Sequence, residues 1–292
     1  KHELTGKTFH SNVERSESVK NIIDDNGDQT LILPLQGFIF FGSANRLLER
    51  IKLHLQSQNE TNLKYLVFDF KQVTGVDSST INSFNKLRIL AELDNFQVLF
   101  CNLTPKIISQ FEAEGLFADS MDLFFKFDDL DHGMEWCEEQ IISETTKGSN
   151  KQKEEIDEIK LFEEKFADLL IYFESKDINQ NTTLIEQGND PDGLYFIKSG
   201  RVTVELRSSN NKIRLKSMGT GTVVGEVSLY LKTQATASVI SNTDCKTYFL
   251  SHENFEKLNK ETPERAAELH TYIVKLLNDR LAKSNATIQA LM

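Results

Sequence analysis

Over the first half of the chain, short apolar runs alternate with stretches in which apolar residues recur every third or fourth position. Residues 30–36 (Thr-Leu-Ile-Leu-Pro-Leu-Gln) read as a strand, and 37–41 (Gly-Phe-Ile-Phe-Phe) as a second strand after a tight connection. Ser43 is placed to cap a helix that carries Leu47, Leu48, Ile51 and Leu55 on one face. Residues 65–70 (Tyr-Leu-Val-Phe-Asp-Phe) form a near-continuous apolar run, the pattern of a strand covered on both faces. A helix with Ile81, Phe84, Leu87 and Ala91 follows, then a strand over 96–100. Thr104-Pro105 opens another helix, with Thr as cap and Pro in the first turn. A short strand over 123–127 precedes a helix through Met134, Cys137 and Ile141. Strands and helices alternating at this spacing predict an α/β domain, a sheet with packed helices.

The periodicity lapses over 143–153, Ser-Glu-Thr-Thr-Lys-Gly-Ser-Asn-Lys-Gln-Lys, which has the composition of a linker. This divides the chain into domains at 1–143 and 156–292 with a linker at 144–155. Ile156, Ile159, Phe162, Phe166, Leu169, Leu170 and Phe173 then trace an amphipathic helix. From Asn181 short strands are punctuated by Gly188, the 189–193 turn and Ser199-Gly200, with a hairpin tip at 208–211. This predicts an α+β domain, a β-roll flanked by helices. The last helix starts at Thr262-Pro263 and carries Ile273, Leu276, Leu277, Leu281, Ile288 and Leu291. That stripe exceeds what one small roll is expected to cover, so part of it is expected against another subunit or the first domain.

At 292 residues, with 39% hydrophobic and 26% charged residues, the chain suits two soluble globular domains. A net charge of -11 argues against a nucleic-acid surface and against a polybasic grip on anionic lipid. Cys101, Cys137 and Cys245 are widely separated and odd in number, so they predict small core residues in a reducing compartment rather than a disulfide framework. The longest apolar stretch, 31–41, is interrupted and too short to span a bilayer. The sequence opens on Lys1 rather than Met, so a longer protein, with any membrane anchor upstream, is expected. The six histidines show neither metal-ligand spacing nor a nucleophile partner, and no catalytic or metal-binding residue is assigned. Gly219, Gly221 and Gly225 have the wrong spacing for a dinucleotide fingerprint.

Gly75-Val-Asp-Ser-Ser-Thr80 lies between the buried strand and a helix. It resembles the Asp-Ser-Ser-Gly signature of STAS domains, which occur in bacterial anti-sigma-factor antagonists and in the cytosolic tails of SulP anion transporters. The resemblance implies that Ser79 corresponds to the antagonists' phosphorylated serine and Asp77 to their aspartate, with Thr80 standing where they have Gly. The plainer reading, that Asp77, Ser78 or Ser79 caps the helix, is preferred. Residues 6–16 are similar to the segment joining the last membrane helix to the STAS domain in SulP proteins.

Gly221-Thr-Val-Val-Gly-Glu-Val-Ser-Leu229 and Gln234-Ala-Thr-Ala-Ser-Val239 resemble the phosphate-binding cassette of cyclic-nucleotide-binding domains, and the likeness extends over about 162–281. It implies a nucleotide site at Gly225, Glu226, Val227, Ala235 and Thr236, with Glu226 for the ribose hydroxyl. The family's phosphate-pairing Arg falls at Ala235. A charged hydrogen bond is worth roughly 1.5–3 kcal/mol, so its loss predicts roughly ten- to a hundredfold weaker binding. Cyclic AMP and cyclic GMP are therefore disfavoured and another nucleotide or anion stays open. Arg214 and Lys232 are the nearby cations that could substitute, though the preferred reading of both is a solvated surface charge.

Together the resemblances imply a non-enzymatic regulatory and assembly region of a SulP-type transporter of anions or other small charged solutes. It would lie on the cytosolic face of a membrane, beside its own transmembrane domain, as a homodimer without a nucleic-acid partner. The alternative is a free-standing STAS signalling protein with a nucleotide sensor.

Overall fold

The computed structural model describes residues 4–15, 17–57, 63–117, 123–145, 159–190, 192–208 and 211–290. These fall into two compact units, the first holding 4–11 and 18–145, the second 12–15, 17 and 159–290.

In the first unit, five strands stand in the order β1 (Leu4–Thr5), β2 (Thr30–Ile39), β3 (Tyr65–Val76), β4 (Gln97–Cys101) and β5 (Phe124–Phe127). β1 is antiparallel to β2, and the other pairs are parallel. The continuous apolar runs follow from strand pleating, because successive residues feed two different cores. Leu66, Phe68, Val98 and Phe100 face a core with Ile51 of α2 (Phe41–Ser57), Phe84 of α3 (Ser78–Asp94) and Phe111 of α4 (Pro105–Ala113). Their neighbours Val67, Leu99 and Cys101 join Met134, Cys137 and Ile141 of α5 (Leu130–Thr145) instead. A further helix, α1 (Glu17–Asp25), buries Val19 and Ile23 against Ile142.

Two local expectations change. Residues 30–39 are one strand, and the tight connection is a bulge: the register against β3 shifts at Pro34/Gln36 and Gly37/Phe38, with Gly37 at φ +74°. Ser43 lies inside the first turn of α2 rather than before it, where its hydroxyl accepts the Phe40 N–H at 2.9 Å, half of a capping box. Thr104 caps α4 as expected, accepting from the Ile107 N–H with Pro105 in the first turn. All three cysteines are free and buried. Most of the anticipated linker, 146–158, lies outside the described residues.

The second unit opens with helix α6 over 159–165, which gives way at Phe166 to a 3-10 helix, Ala167–Tyr172, so the expected amphipathic helix ends early. Two four-stranded antiparallel sheets make the roll. One runs β10 (Asn211–Met218), β9 (Val202–Ser208), β12 (Ser238–Ser241), β7 (Thr183–Ile185). The other runs β11 (Val223–Val224), β8 (Gly193–Ser199), β13 (Cys245–Ser251), β6 (Glu174–Ile178). Three helices complete it: α7 (Glu226–Leu231), α8 (His252–Glu261) and α9 (Pro263–Ala290). Thr262 does not cap α9 with its hydroxyl, which donates back to the Leu258 carbonyl. Phe162, Phe166, Phe196 and Leu250 enclose Leu269 and Ile273 of α9, with Leu276 and Leu277 partly covered by the same core. The roll thus takes up the stripe as far as Leu277, and Leu281 is 60% exposed. The Ile288 and Leu291 side chains lie outside the described residues.

Residues 12–14 run beside β10: Ser217 N–H donates to the Asn12 carbonyl and Glu14 N–H to the Ser217 carbonyl, both at 2.8 Å. Among the described residues no helix is long and apolar enough to cross a membrane, and no cluster of three or more His, Cys, Asp or Glu could hold a metal.

Candidate functional site

The cassette begins where β11 ends. Gly225 has φ +88°, and a Cβ there would lie 2.7 Å from the Gly193 carbonyl oxygen, so both conformation and space demand glycine. The turn delivers Glu226 into the interior at the start of α7, its side chain 4% exposed. A buried carboxylate needs a counter-charge, and Arg280 of α9 provides it. Nη1 donates to Glu226 Oε1 at 3.0 Å, and Nη2 donates to the Val223 carbonyl at 3.0 Å. Burial raises the Glu226 pKa above the ordinary carboxylate value, with Arg280 pulling against that rise.

Glu14 and Lys216 complete the set. Glu14 Oε2 lies 3.5 Å from Arg280 Nε and 3.5 Å from Lys216 Nζ. Two acids and two bases therefore meet beside a cavity of about 200 Å³, walled by Ile185, Val204, Met218, Val224 and Val239. Gly225, Glu226, Val227, Ala235 and Thr236 all line it, so the structure brings the sequence-assigned residues together. Ala235 is 5% exposed, with its N–H donating to the Asn189 carbonyl and its own carbonyl accepting from Gly188 N–H. A methyl thus occupies the position of the family's Arg.

The two candidate cations are corrected. Neither Arg214 nor Lys232 lines the cavity, whereas Lys216 and Arg280 do. A register shift separates Arg214 from Lys216 in β10, so the even spacing that would put both on one face does not hold. Lys232 is an exposed residue ending α7. Arg280 is 54 positions from Glu226, and only the folding of α9 onto the roll joins them.

At the start of α3 the cap is Asp77 alone. Its Oδ1 accepts the Thr80 N–H at 2.8 Å and the Ser79 hydroxyl at 2.8 Å, and these bonds, Ser79 first, lower its pKa. Ser78 is exposed and Ser79 partly so. Thr80 is fully buried, its Oγ1 3.0 Å from the Ile39 carbonyl, tying the helix start to the end of β2. That contact gives a physical use for Thr where the STAS signature has Gly.

Residues 20–129 match the STAS domain family model, and residues 175–262 match the cyclic nucleotide-binding domain model. The chain carries a STAS domain followed by a cyclic nucleotide-binding-like domain. Both are domain types of regulatory proteins. Among curated relatives, a vacuolar basic amino acid transporter of Saccharomyces cerevisiae is 29% identical over 164 residues, covering 53% of this chain and 15% of that protein. Glutaminase 2 of Bradyrhizobium diazoefficiens is 24% identical over 289 residues, covering 95% of this chain and 44% of that protein. The chain thus spans less than half the length of either. Among solved structures, a cyclic nucleotide-binding domain from Methylobacillus flagellatus is 21% identical, covering 44% of this chain and 73% of that one at a TM-score of 0.41.

Proposed function

We propose that this chain is the regulatory and assembly region of a SulP-type secondary transporter, non-catalytic itself and placed on the cytosolic face of a membrane. The observation that carries the reading is a STAS domain and a cyclic nucleotide-binding-like domain in tandem, in a chain similar to part of a vacuolar basic amino acid transporter. In this reading the STAS domain packs beside the protein's own transmembrane part, two copies assemble as a homodimer, and no nucleic acid is involved. The second domain senses a ligand, and its site is degenerate towards cyclic nucleotides because Ala235 stands where a cation is needed. The transported solute is an anion or another small charged molecule, and a basic amino acid belongs to that class.

A second reading rests on the match of Glutaminase 2 to 95% of this chain. In this reading the two domains of this chain regulate a catalytic domain elsewhere in a longer polypeptide. The coding sequence upstream of Lys1 separates the two. About a dozen apolar segments of spanning length, with the full protein in the membrane fraction, support the transporter. A catalytic domain without such segments supports the enzyme and overturns the first reading.

A further inference from the structure

We propose that the cavity beside α7 binds a small organic anion, a carboxylate or phosphate ester, through Lys216 and Arg280, and that Glu14 of the chain's own amino-terminal segment holds that place when the ligand is away. The proposal deepens the sensing role given to the second domain and requires nothing of a transporter.

The geometry of Glu14 is that of a stand-in. Its Oε2 serves two cations at once, each at 3.5 Å, well beyond the roughly 2.7–2.9 Å of a charged N–H to carboxylate bond. Glu14 Oε2 and Arg280 Nε are both shut away from solvent, and neither has a hydrogen bond among the described residues. The carboxylate cannot close the gap freely, because the backbone bonds of Asn12 and Glu14 to Ser217 fix where its side chain starts. A diffusible anion has no such tether and can approach both donors to bonding distance.

Arg280 is also oriented for this. Nη1 and Nη2 each give one N–H, to Glu226 and to the Val223 carbonyl, and it is Nε that lies nearest Glu14. Exchange is cheaper than addition. A ligand that replaces Glu14 removes one carboxylate as it brings its own negative charge, whereas one added beside it brings that charge into a poorly solvated site with no carboxylate leaving. The apolar walls of this cavity of about 200 Å³ receive the organic body of the ligand. Ligand entry then releases Glu14 and loosens residues 12–14 from β10, which makes binding readable at a distance from the cavity.

The test uses the whole chain as wild type, Glu14→Gln and Glu14→Gln/Lys216→Met, titrated by calorimetry with AMP and with hexanoate at fixed salt. Glu14→Gln is expected to bind at least one probe about tenfold more tightly than wild type, with the gain lost in the double variant. A preference for AMP or for hexanoate identifies phosphate or carboxylate as the recognised group. Hydrogen exchange at the Glu14 amide of the wild type should speed up when that probe saturates the site. No gain in Glu14→Gln for either probe overturns the proposal, as does a gain that survives Lys216→Met, or binding that leaves the Glu14 amide as protected as before.

Discussion

Arg280 Nη1 donates to Glu226 Oε1 at 3.0 Å, joining the last helix to the first residue of the cassette helix. The Arg280 side chain is 16% exposed and that of Glu226 4%, so each is the other's main compensation for leaving water. Arg280→Ala should therefore destabilise the second domain by about 3 kcal/mol, because an uncompensated carboxylate stays inside. Glu226→Gln should cost about 1 kcal/mol, since Arg280 keeps the Val223 carbonyl and Glu14. The double variant should cost less than the sum of the two. Urea unfolding of the four proteins measures this, and strict additivity would show that the pair does not couple.

The same pair sets a pH dependence. Burial holds the Glu226 pKa above its ordinary value of 4.5, so the folded chain binds this proton more tightly than the unfolded chain does. Its favourable contribution is complete below the unfolded value and declines as pH rises through the raised folded one. Removing Arg280 raises that folded value further. The stability deficit of Arg280→Ala should accordingly shrink as pH falls from neutrality towards about 5. A deficit that stays constant over this range argues against Glu226 as its source.

What could be read from the sequence was whatever chemistry is local. The strands over 65–70 and 96–100 were legible because a strand feeding two cores is apolar at nearly every position, with Asp69 and Gln97 the polar residues in these runs. Gly225-Glu226 was legible because a positive-φ turn and the carboxylate after it are contiguous. Gly37 misled because a positive-φ glycine serves a bulge as well as a turn, and the ladder to β3 decides between them. At α3 three neighbouring side chains could all cap a helix, and only the extended backbone of Asp77, φ -92° and ψ 163°, selects it. The cations were out of reach for two reasons. A bulge between Arg214 and Lys216 reassigns faces within one strand, and Arg280 arrives from a helix far along the chain.

Because Asp77 rather than either serine receives the Thr80 N–H, Asp77→Ala should lower the melting temperature of the first domain more than Ser78→Ala does. The depressed pKa gives the sign of its acid response. The cap's contribution is present above the ordinary carboxylate value and is lost as pH falls through the lowered one. Ser79→Asp places a second negative charge where the hydroxyl now donates to Asp77 Oδ1 at 2.8 Å, and phosphorylation of Ser79 would do so more strongly. Both should loosen the start of α3, seen as faster amide exchange at Thr80. An unchanged exchange rate in Ser79→Asp would remove the basis for a phospho-switch here.

Gly133 lies within α5, where replacing glycine by alanine ordinarily gains up to about 1 kcal/mol. Here the added Cβ would stand 2.5 Å from Cys101 Sγ, a fully buried atom of β4. Overpacking should reverse the sign, and Gly133→Ala is expected to destabilise the first domain by about 1–2 kcal/mol. Cys101→Ala removes the obstructing sulfur, so the Gly133 substitution should be milder in that background. Equal costs in both backgrounds would place the clash elsewhere.

Cyclic AMP and cyclic GMP are expected to bind the whole chain more weakly than about 1 µM. Recognition in the manner of ligand-binding relatives needs a free Glu for the ribose and a cation for the cyclic phosphate. Glu226 is engaged by Arg280, Ala235 offers a methyl group, and Lys216 and Arg280 already face Glu14, so neither need is met without displacing a partner. The backbone at 235 is nevertheless held at both ends, its N–H by Asn189 and its carbonyl by Gly188, so the position itself is well formed. Ala235→Arg should therefore direct a guanidinium along the cavity wall and raise cyclic-nucleotide affinity about tenfold, the value of one charged hydrogen bond. The gain should stop there while Arg280 still holds Glu226, and it should diminish with added salt as the new ion pair is screened. Calorimetry on wild type and Ala235→Arg at two salt concentrations reads both effects. Submicromolar binding to the wild type would mean that Lys216 and Arg280 already replace the missing cation for cyclic phosphates.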